Sequence, residues 1–132
     1  VQEDMKRRHI QLQVRVAEDV TTVRADARAL QQVLINLLAN AMDAVRDRAS
    51  PRIAIQISSS ADLVHIRVID NGCGMGPETL RTAFLPFHSH REGGTGLGLV
   101  IVKKMLAQMD GMVEMDSREG DGTTVHMTLR ED

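Results

Sequence analysis

Aromatic residues and cysteine are the scarcest components of this sequence of 132 residues. The two Phe residues, with no Trp and no Tyr, exclude the aromatic stacking platforms that many single-strand nucleic-acid-binding domains use. A single cysteine, Cys73, excludes an internal disulfide and a multi-cysteine metal site. The formal net charge of -2 gives no electrostatic reason to expect DNA or a membrane surface as a partner.

Long apolar runs are also missing, and none of those present is long enough to span a bilayer. No signal peptide is recognisable, so we expect a cytoplasmic domain whose parent protein is either soluble or anchored in the inner membrane. Hydrophobic residues make up 42% of the chain, enough for one domain with a core of Leu, Ile, Val, Met and Ala. We expect residues 1–132 to form that domain, with residues 1–8 as the tail of an upstream helix.

Alternating apolar and polar residues predict the strands of the fold. They are residues 9–16, a short segment at 21–25, and residues 52–58, 63–70, 112–117 and 123–129. A helical period predicts helices at residues 27–48, with Asp26 as N-cap, and at residues 96–109, with a short helix after Pro77. Because helices and strands do not alternate regularly, we predict a two-layer α/β sandwich rather than a doubly wound sheet. Its mixed, mostly antiparallel sheet has about five strands and packs on about three helices.

The helix that contains VLINLLANAMDAV (residues 33–45) carries Asn36, Asn40 and Asp43 on one narrow stripe. Its apolar stripe consists of Leu30, Leu34, Leu37, Leu38, Ala41 and Val45. A solvated helix edge is one explanation of the polar stripe, but asparagine has poor helix propensity and is an unusual choice there. A side-chain amide oxygen can instead ligate Mg²⁺ without adding negative charge, which suits a cation that already carries a triphosphate.

The strand at residues 63–70 ends in Asp70, which has the same parity as the apolar residues of that strand. Its carboxylate is therefore expected to face the apolar layer. Either Asp70 opens a turn, or it accepts a hydrogen bond from an exocyclic amine such as that of adenine. In the second case Gly72, Gly74 and Gly76 let the backbone pass close to a flat ring.

A second glycine-rich stretch, GGTGLGLVIVKK, supplies Gly93, Gly94, Gly96 and Gly98 immediately before a predicted helix. Free backbone N–H groups and the positive end of the helix dipole suit phosphate, although a flexible loop ahead of a helix explains the same residues. The stretch matches neither the P-loop nor the dinucleotide-binding fingerprint.

In this order, four segments resemble the conserved boxes of a known family. QVLINLLANAMDA resembles the asparagine box, DNGCGMG the first glycine box, FLPF the phenylalanine box and GGTGLGLVIVKKM the second glycine box. Together they resemble the ATP-binding catalytic domain of bacterial sensor histidine kinases, within the GHKL group of gyrase, MutL-type and chaperone ATPases. The resemblance covers residues 9–130 and implies a Bergerat-type ATP-binding fold and a protein-histidine kinase of a two-component system that uses ATP and Mg²⁺.

The resemblance also implies roles for individual residues. Asn40 would ligate Mg²⁺, and Asn36 would lie beside the phosphates, which makes these two the expected catalytic residues. Asp70 would bind the adenine amine, and Phe84 would help to anchor a mobile lid (residues 84–99). The other residues implied in nucleotide binding are Asp43, Gly72, Gly74, Met75, Phe87, Arg91, Gly94, Thr95, Gly96, Leu97 and Gly98.

Asn36 helps to separate the branches of this group. In the ATPase relatives a glutamate that polarises water stands one turn before the metal-binding asparagine, whereas an amide cannot act as a general base. We therefore expect transfer of the γ-phosphate to a protein rather than ATP hydrolysis. The alternatives are a free-standing anti-sigma-type serine kinase or binding module, a GHKL ATPase, and a degenerate domain that binds no nucleotide.

None of the five histidines stands in the setting that the family uses for its phosphoacceptor. We expect the acceptor on a separate dimerisation domain of the same protein, a response regulator as a further partner, and no nucleic acid. The isolated domain is expected to be a monomer and its parent a homodimer. In the lid, Arg91 replaces a lysine of many relatives as a cationic phosphate contact, and His88 and His90 are expected to be solvated rather than to hold a metal.

Overall fold

Five strands form one sheet in the computed structural model, which describes residues 8–17, 27–85 and 98–130. They are β1 (Gln11–Val16), β2 (Arg52–Ser60), β3 (Leu63–Asp70), β4 (Met112–Arg118) and β5 (Gly122–Arg130). Their spatial order is β1-β2-β3-β5-β4, in which β1 runs parallel to β2 and all other neighbours are antiparallel. A parallel pair requires a crossover connection, and a long helix lies between β1 and β2 in the chain.

The described part of the chain contains three helices, α1 (Ala27–Ala44), α2 (Pro77–Arg81) and α3 (Gly98–Gln108). Helices α1 and α3 pack on each other and on one face of the sheet. The prediction of a two-layer α/β sandwich with a mixed, mostly antiparallel sheet is therefore confirmed. None of these helices is long and apolar enough to cross a membrane.

The core lies between the two layers and joins all the long elements. Its least accessible side chains come from both helices and from the sheet. They include Val33 and Leu37 of α1, Leu106 of α3, and Ile53 and Met127 of the sheet. Burying a side chain of this size stabilises the fold by about 1.5–3 kcal/mol. The packed face of α1 differs slightly from the predicted stripe, because Leu30, Leu34 and Leu38 are only half-buried at its border.

Helix α1 ends at Ala44, four residues before the predicted end at residue 48. In a continued helix the N–H of Arg48 would donate to the carbonyl of Ala44. That carbonyl instead accepts from the N–H of Cys73 at 3.0 Å, and Arg48 donates to Val45 at 3.0 Å. A hydrogen bond to a distant loop therefore ends the helix, which the local sequence does not reveal.

The two hairpins, β2–β3 and β4–β5, agree with the prediction. Ala61 and Asp62 connect β2 to β3 with φ angles of 54° and 64°, and positive φ at both positions suits a tight two-residue turn. Strand β1 begins at Gln11 rather than at residue 9, because the φ of His9 is 56° and places it in a turn. The predicted helical tail at residues 1–8 lies outside the described residues except for Arg8, and so do the predicted strand at 21–25 and Asp26.

Candidate functional site

A cavity of about 780 Å³ opens at one end of the helical layer. Its wall combines the C-terminal half of α1, the first residues of α3, and two loops that follow β3 and β4. We call residues 71–76 the glycine loop and residues 119–121 the β4–β5 turn. Apolar side chains from the core, Leu37, Val68, Met115 and Val125, form part of this wall, so the cavity reaches down to the sheet.

Asp70 is the buried acid of this cavity. It is the last residue of β3 and shares the inward face with Val64, Ile66 and Val68, so the period of the strand carries its carboxylate into the helical layer. Only 9% of its surface is exposed. Its Oδ1 accepts a hydrogen bond from the N–H of Gly72 at 2.8 Å.

The environment of Asp70 alters its acidity. Burial is the largest effect and raises the pKa of Asp70 above its usual value of 3.8, because desolvation disfavours the charged form. Backbone hydrogen bonds from Gly72 and Thr123 and the positive charge of Arg48 offset only part of this rise. A raised pKa in a partly dry cavity is typical of a functional carboxylate, and an amine donor placed beside Asp70 would relieve its desolvation.

The glycine loop is held in place by hydrogen bonds to two strands, to α1 and to the β4–β5 turn. Asn71 accepts from the backbone N–H of Arg52 at 2.8 Å, which ties the start of the loop to β2. The N–H of Cys73 donates to α1, as described above, and its carbonyl accepts from the N–H of Gly120 at 2.7 Å. The N–H of Met75 donates to Ser117 Oγ at 2.8 Å. The loop is therefore a fixed wall of the cavity.

Two glycines allow this loop to approach its neighbours closely. A Cβ on Gly72 would lie 2.5 Å from the carbonyl oxygen of Ala44, and a Cβ on Gly74 would lie 1.9 Å from that of Arg118. Gly74 also has a φ of 68°, a backbone conformation that residues other than glycine rarely adopt. Gly74 and Met75 line the cavity, whereas Gly72 is not among its lining residues and donates its N–H to Asp70.

Arg48 forms hydrogen bonds to both the glycine loop and the β4–β5 turn. Its guanidinium Nη2 donates to the carbonyl oxygen of Gly72 at 2.7 Å and to that of Gly120 at 2.5 Å. Arg48 therefore connects the end of α1, the glycine loop and the β4–β5 turn, and its side chain also lines the cavity.

The other part of the wall comes from α1 and the start of α3. Asn40 and Asp43 line the cavity, as the polar stripe predicts, and both are half-buried. Gly98 begins α3 beside Asn40, and a Cβ on Gly98 would lie 3.9 Å from both Nδ2 and Oδ1 of that amide. The positive end of the α3 dipole therefore meets an amide side chain that can ligate a cation. Arg46 reaches Asp43 at 3.7 Å near the surface, where such a pair contributes little stability.

Comparison with known proteins identifies the family of this chain. Residues 25–132 match the family described as histidine kinase-, DNA gyrase B-, and HSP90-like ATPase. The chain belongs to this family. The sensor histidine kinase ZraS of Salmonella typhimurium strain LT2 is 35% identical over 129 residues, which are 98% of this chain but only 28% of ZraS. The chain thus spans less than a third of the length of this curated relative.

Solved histidine kinase structures share the fold of the domain. The catalytic domain of histidine kinase ThkA superimposes with a TM-score of 0.86 at 27% identity, covering 98% of this chain and 84% of that chain. Full-length ShkA in complex with AMPPNP superimposes with a TM-score of 0.85 at 26% identity, covering 98% of this chain and 28% of that chain. The prediction of a histidine kinase catalytic domain of the GHKL group is confirmed.

In this histidine-kinase-type domain, the described residues assemble six of the predicted nucleotide-binding positions around one cavity. They are Asn40, Asp43, Asp70, Gly74, Met75 and Gly98. Asn36 is half-buried one turn before Asn40 and does not line the described part of the cavity. Its Oδ1 accepts from Gln32 Nε2 at 3.0 Å, so its predicted place beside the phosphates stays a prediction.

The predicted lid contacts fall largely outside the described residues. They are Phe87, Arg91, Gly94, Thr95, Gly96 and Leu97, together with Gly93 and the two histidines His88 and His90. Phe84 is described, and the Nζ of Lys103 in α3 lies 5.9 Å from the centroid of its ring. This cation–π contact links Phe84, the first residue of the predicted lid, to α3.

Arg48 is not among the predicted site residues, and no local signal in the sequence marks it. Its two carbonyl partners lie 24 and 72 residues away in the chain.

Within residues 8–17, 27–85 and 98–130, no three His, Cys, Asp or Glu side chains are grouped so as to hold a metal ion.

Proposed function

We propose that this domain binds ATP with Mg²⁺ in the cavity and donates the γ-phosphate to a histidine on a separate dimerisation domain of the same protein. The observation that carries the proposal is the presence of Asp70, a buried acid, and Asn40, an amide suited to a hard cation, in the wall of one cavity. Its volume of about 780 Å³ lies in the range of about 300–1,000 Å³ that is typical of small-molecule sites. We infer that residues 1–132 act as one catalytic domain.

Asp70 is suited to select adenine. Its carboxylate is buried and held by backbone N–H groups, so its position is fixed before a ligand arrives. An exocyclic amine would donate to this acceptor, whereas a base without the amine would leave a desolvated carboxylate unpaired. Such an omission costs about 1–3 kcal/mol, and more when the group is charged.

Asn40 and Gly98 are suited to the phosphates. Asn40 would hold Mg²⁺ through its amide oxygen, and the cation supplies neutralisation of the phosphate charge when bound. The N-terminus of α3, which begins at Gly98, directs its positive dipole end to the same region. Because Gly98 lacks a side chain, the backbone can come close to a phosphate there.

Transfer to a protein histidine requires mainly positioning and charge neutralisation. Phosphoryl transfer involves little covalent chemistry by the protein, so holding the acceptor in line with the γ-phosphate supplies much of the rate. We propose that Asn36 and the lid residues Phe87, Arg91, Gly94, Thr95, Gly96 and Leu97 complete the nucleotide site. A response regulator would then take the phosphoryl group from the histidine, and the parent protein would be a homodimer.

A phosphotransfer assay tests the proposal. The domain is mixed with radiolabelled ATP, Mg²⁺ and the separately produced dimerisation domain of its parent. We expect label on a histidine of that dimerisation domain and little free phosphate. Steady ATP hydrolysis without labelling would instead support an ATPase.

Asn40→Asp adds a negative charge beside the proposed triphosphate, and we expect it to weaken Mg²⁺–ATP binding by at least about tenfold. Gln31→Glu makes the same amide-to-carboxylate change on an exposed turn of α1 and is the matched control. If both variants transferred phosphate like the unmodified domain, Asn40 would not be the metal ligand.

A further inference from the structure

The side chain of Arg48 forms hydrogen bonds to both loops of the cavity wall. Its guanidinium binds the carbonyl of Gly72 in the glycine loop and the carbonyl of Gly120 in the β4–β5 turn. Both of these glycines also take part in the support of the cavity through their N–H groups. The N–H of Gly72 donates to Asp70, and the N–H of Gly120 donates to Cys73.

The chemistry of arginine suits this position. The guanidinium is planar, always charged and carries five donors in a fixed fork, so one side chain can hold two carbonyls at once. A lysine ammonium is a compact point charge on a flexible stem and does not fix two acceptors in one geometry. Hydrogen bonds from a charged donor are stronger than those between neutral groups, which suits a side chain that holds two loops together.

Arg48 also acts on Asp70 through its charge. Its Coulombic effect lowers the pKa of Asp70 and so opposes the effect of burial. The guanidinium thus favours the ionised carboxylate. In this form both oxygens of Asp70 are acceptors, so either one can accept a hydrogen bond from an amine.

We propose that Arg48 is a positioning residue of the base site, which sets the spacing of the glycine loop and the β4–β5 turn so that Asp70 meets the amine of adenine. This inference rests on the proposed function, because it concerns the same cavity. Arg48 need not touch the base, because it binds the carbonyl of Gly72, the glycine whose N–H donates to Asp70.

The test compares ADP with IDP, whose base carries a carbonyl oxygen in place of the amine. Affinities of the two nucleotides are measured by calorimetry with Mg²⁺ for the unmodified domain, Arg48→Gln and Arg48→Lys. We expect Arg48→Gln to reduce the preference for ADP over IDP by about tenfold and Arg48→Lys by a smaller factor. Arg130→Gln removes an exposed arginine at the far end of β5 and is the control.

A pH series separates positioning from a merely structural role. As the pH is lowered, protonation of Asp70 should weaken ADP binding. Because Arg48→Gln removes a positive charge that lowers the pKa of Asp70, the pH at which ADP affinity falls to half should move upward in this variant. Arg48→Lys keeps the charge and should keep this midpoint. The other ionisable side chains on the cavity wall stay the same in all variants; they are Asp43, Arg46, Asp47, Cys73 and Glu119.

The outcomes distinguish this inference from the function on which it rests. If the unmodified domain binds no ADP, the proposed function fails. If it binds ADP, and both Arg48 variants melt cooperatively yet keep its ADP preference and pH midpoint, the role of Arg48 is overturned. Should Arg48→Gln not fold, Arg48→Lys alone decides, since retention of the full ADP preference in that variant contradicts the need for a fork that holds two carbonyls.

Discussion

Gly98, the first residue of α3, lies against the side-chain amide of Asn40 in α1. A Cβ on Gly98 would be 3.9 Å from both polar atoms of this amide, which is ordinary van der Waals contact. Among the described residues, a methyl group at Gly98 therefore fits between the two helices. The same space is where we propose that the triphosphate and Mg²⁺ approach the start of α3.

Gly98→Ala should therefore separate folding from phosphate binding. We expect an equal or slightly higher Tm, because alanine favours helix over glycine by up to about 1 kcal/mol. ATP affinity should fall several-fold, whereas adenosine affinity should not change, because the added methyl group meets only the phosphates. Calorimetry with both ligands checks this, and an equal effect on ATP and adenosine would place the phosphates elsewhere.

Gly74 and Gly120 provide a matched pair for the glycine loop. Their φ angles are 68° and 86°, so alanine is strained at both positions. In the part of the chain that the structure describes, a Cβ at Gly120 meets nothing within 4 Å, whereas a Cβ at Gly74 would collide with the backbone of Arg118. We expect Gly120→Ala to lower the free energy of unfolding by about 1–2 kcal/mol and Gly74→Ala by about 3–4 kcal/mol in urea titrations. Equal losses would show that the loop does not need this close approach.

His126 predicts a pH dependence of stability on the face of the sheet away from the helices. Its Nε2 lies 2.9 Å from Nδ1 of His65, and the cross-strand neighbours of His126 are Arg67 and Glu114. Burial, Arg67 and His65 lower the pKa of His126 below its usual value of 6.5, while Glu114 opposes them. A depressed pKa means that the unfolded chain takes up a proton first, so stability is present above about pH 6.5 and is lost as the pH falls through the folded pKa.

Thermal melts between pH 8 and pH 5 test this effect at about half-unit steps. We expect His126→Gln to show a smaller decrease in Tm over this range than the unmodified domain. The control is His9→Asn, since His9 is exposed, lies in a turn away from the pair, and has a positive φ that asparagine tolerates. The same decrease in all three proteins would rule out His126 as the source.

Much of the fold could be predicted because its signals are local. The period of β3 places Asp70 on the inward face, and the spacing of Asn40 and Asp43 places both on one side of α1. These features depend only on the geometry of a single strand or helix.

Features that depend on distant partners could not be predicted. Helix α1 ends at Ala44 because its carbonyl accepts from Cys73, and Arg48 connects the two loops because it binds Gly72 and Gly120. Neither residue carries a pattern in its own neighbourhood, so only the packing of the loops reveals these roles.

Asp70→Asn isolates the residue on which the proposed adenine site depends. A raised pKa means that stability contributed by the protonated group is present below about pH 3.8 and is lost as the pH rises through the folded pKa. The amide has no charge to desolvate, so we expect the Tm of Asp70→Asn at pH 7 to be equal or higher. Asp116→Asn makes the same change at an exposed position of β4 and serves as control.

Calorimetric titration of ADP in the presence of Mg²⁺ into the unmodified domain, Asp70→Asn and Asp116→Asn is the most direct measurement. We expect binding to the unmodified domain and to Asp116→Asn with equal affinity, and binding to Asp70→Asn weakened by about 100-fold or more, because an amide N–H would face the adenine amine. Absence of binding to the folded, unmodified domain, or unchanged affinity in Asp70→Asn, would contradict an adenine nucleotide site at Asp70.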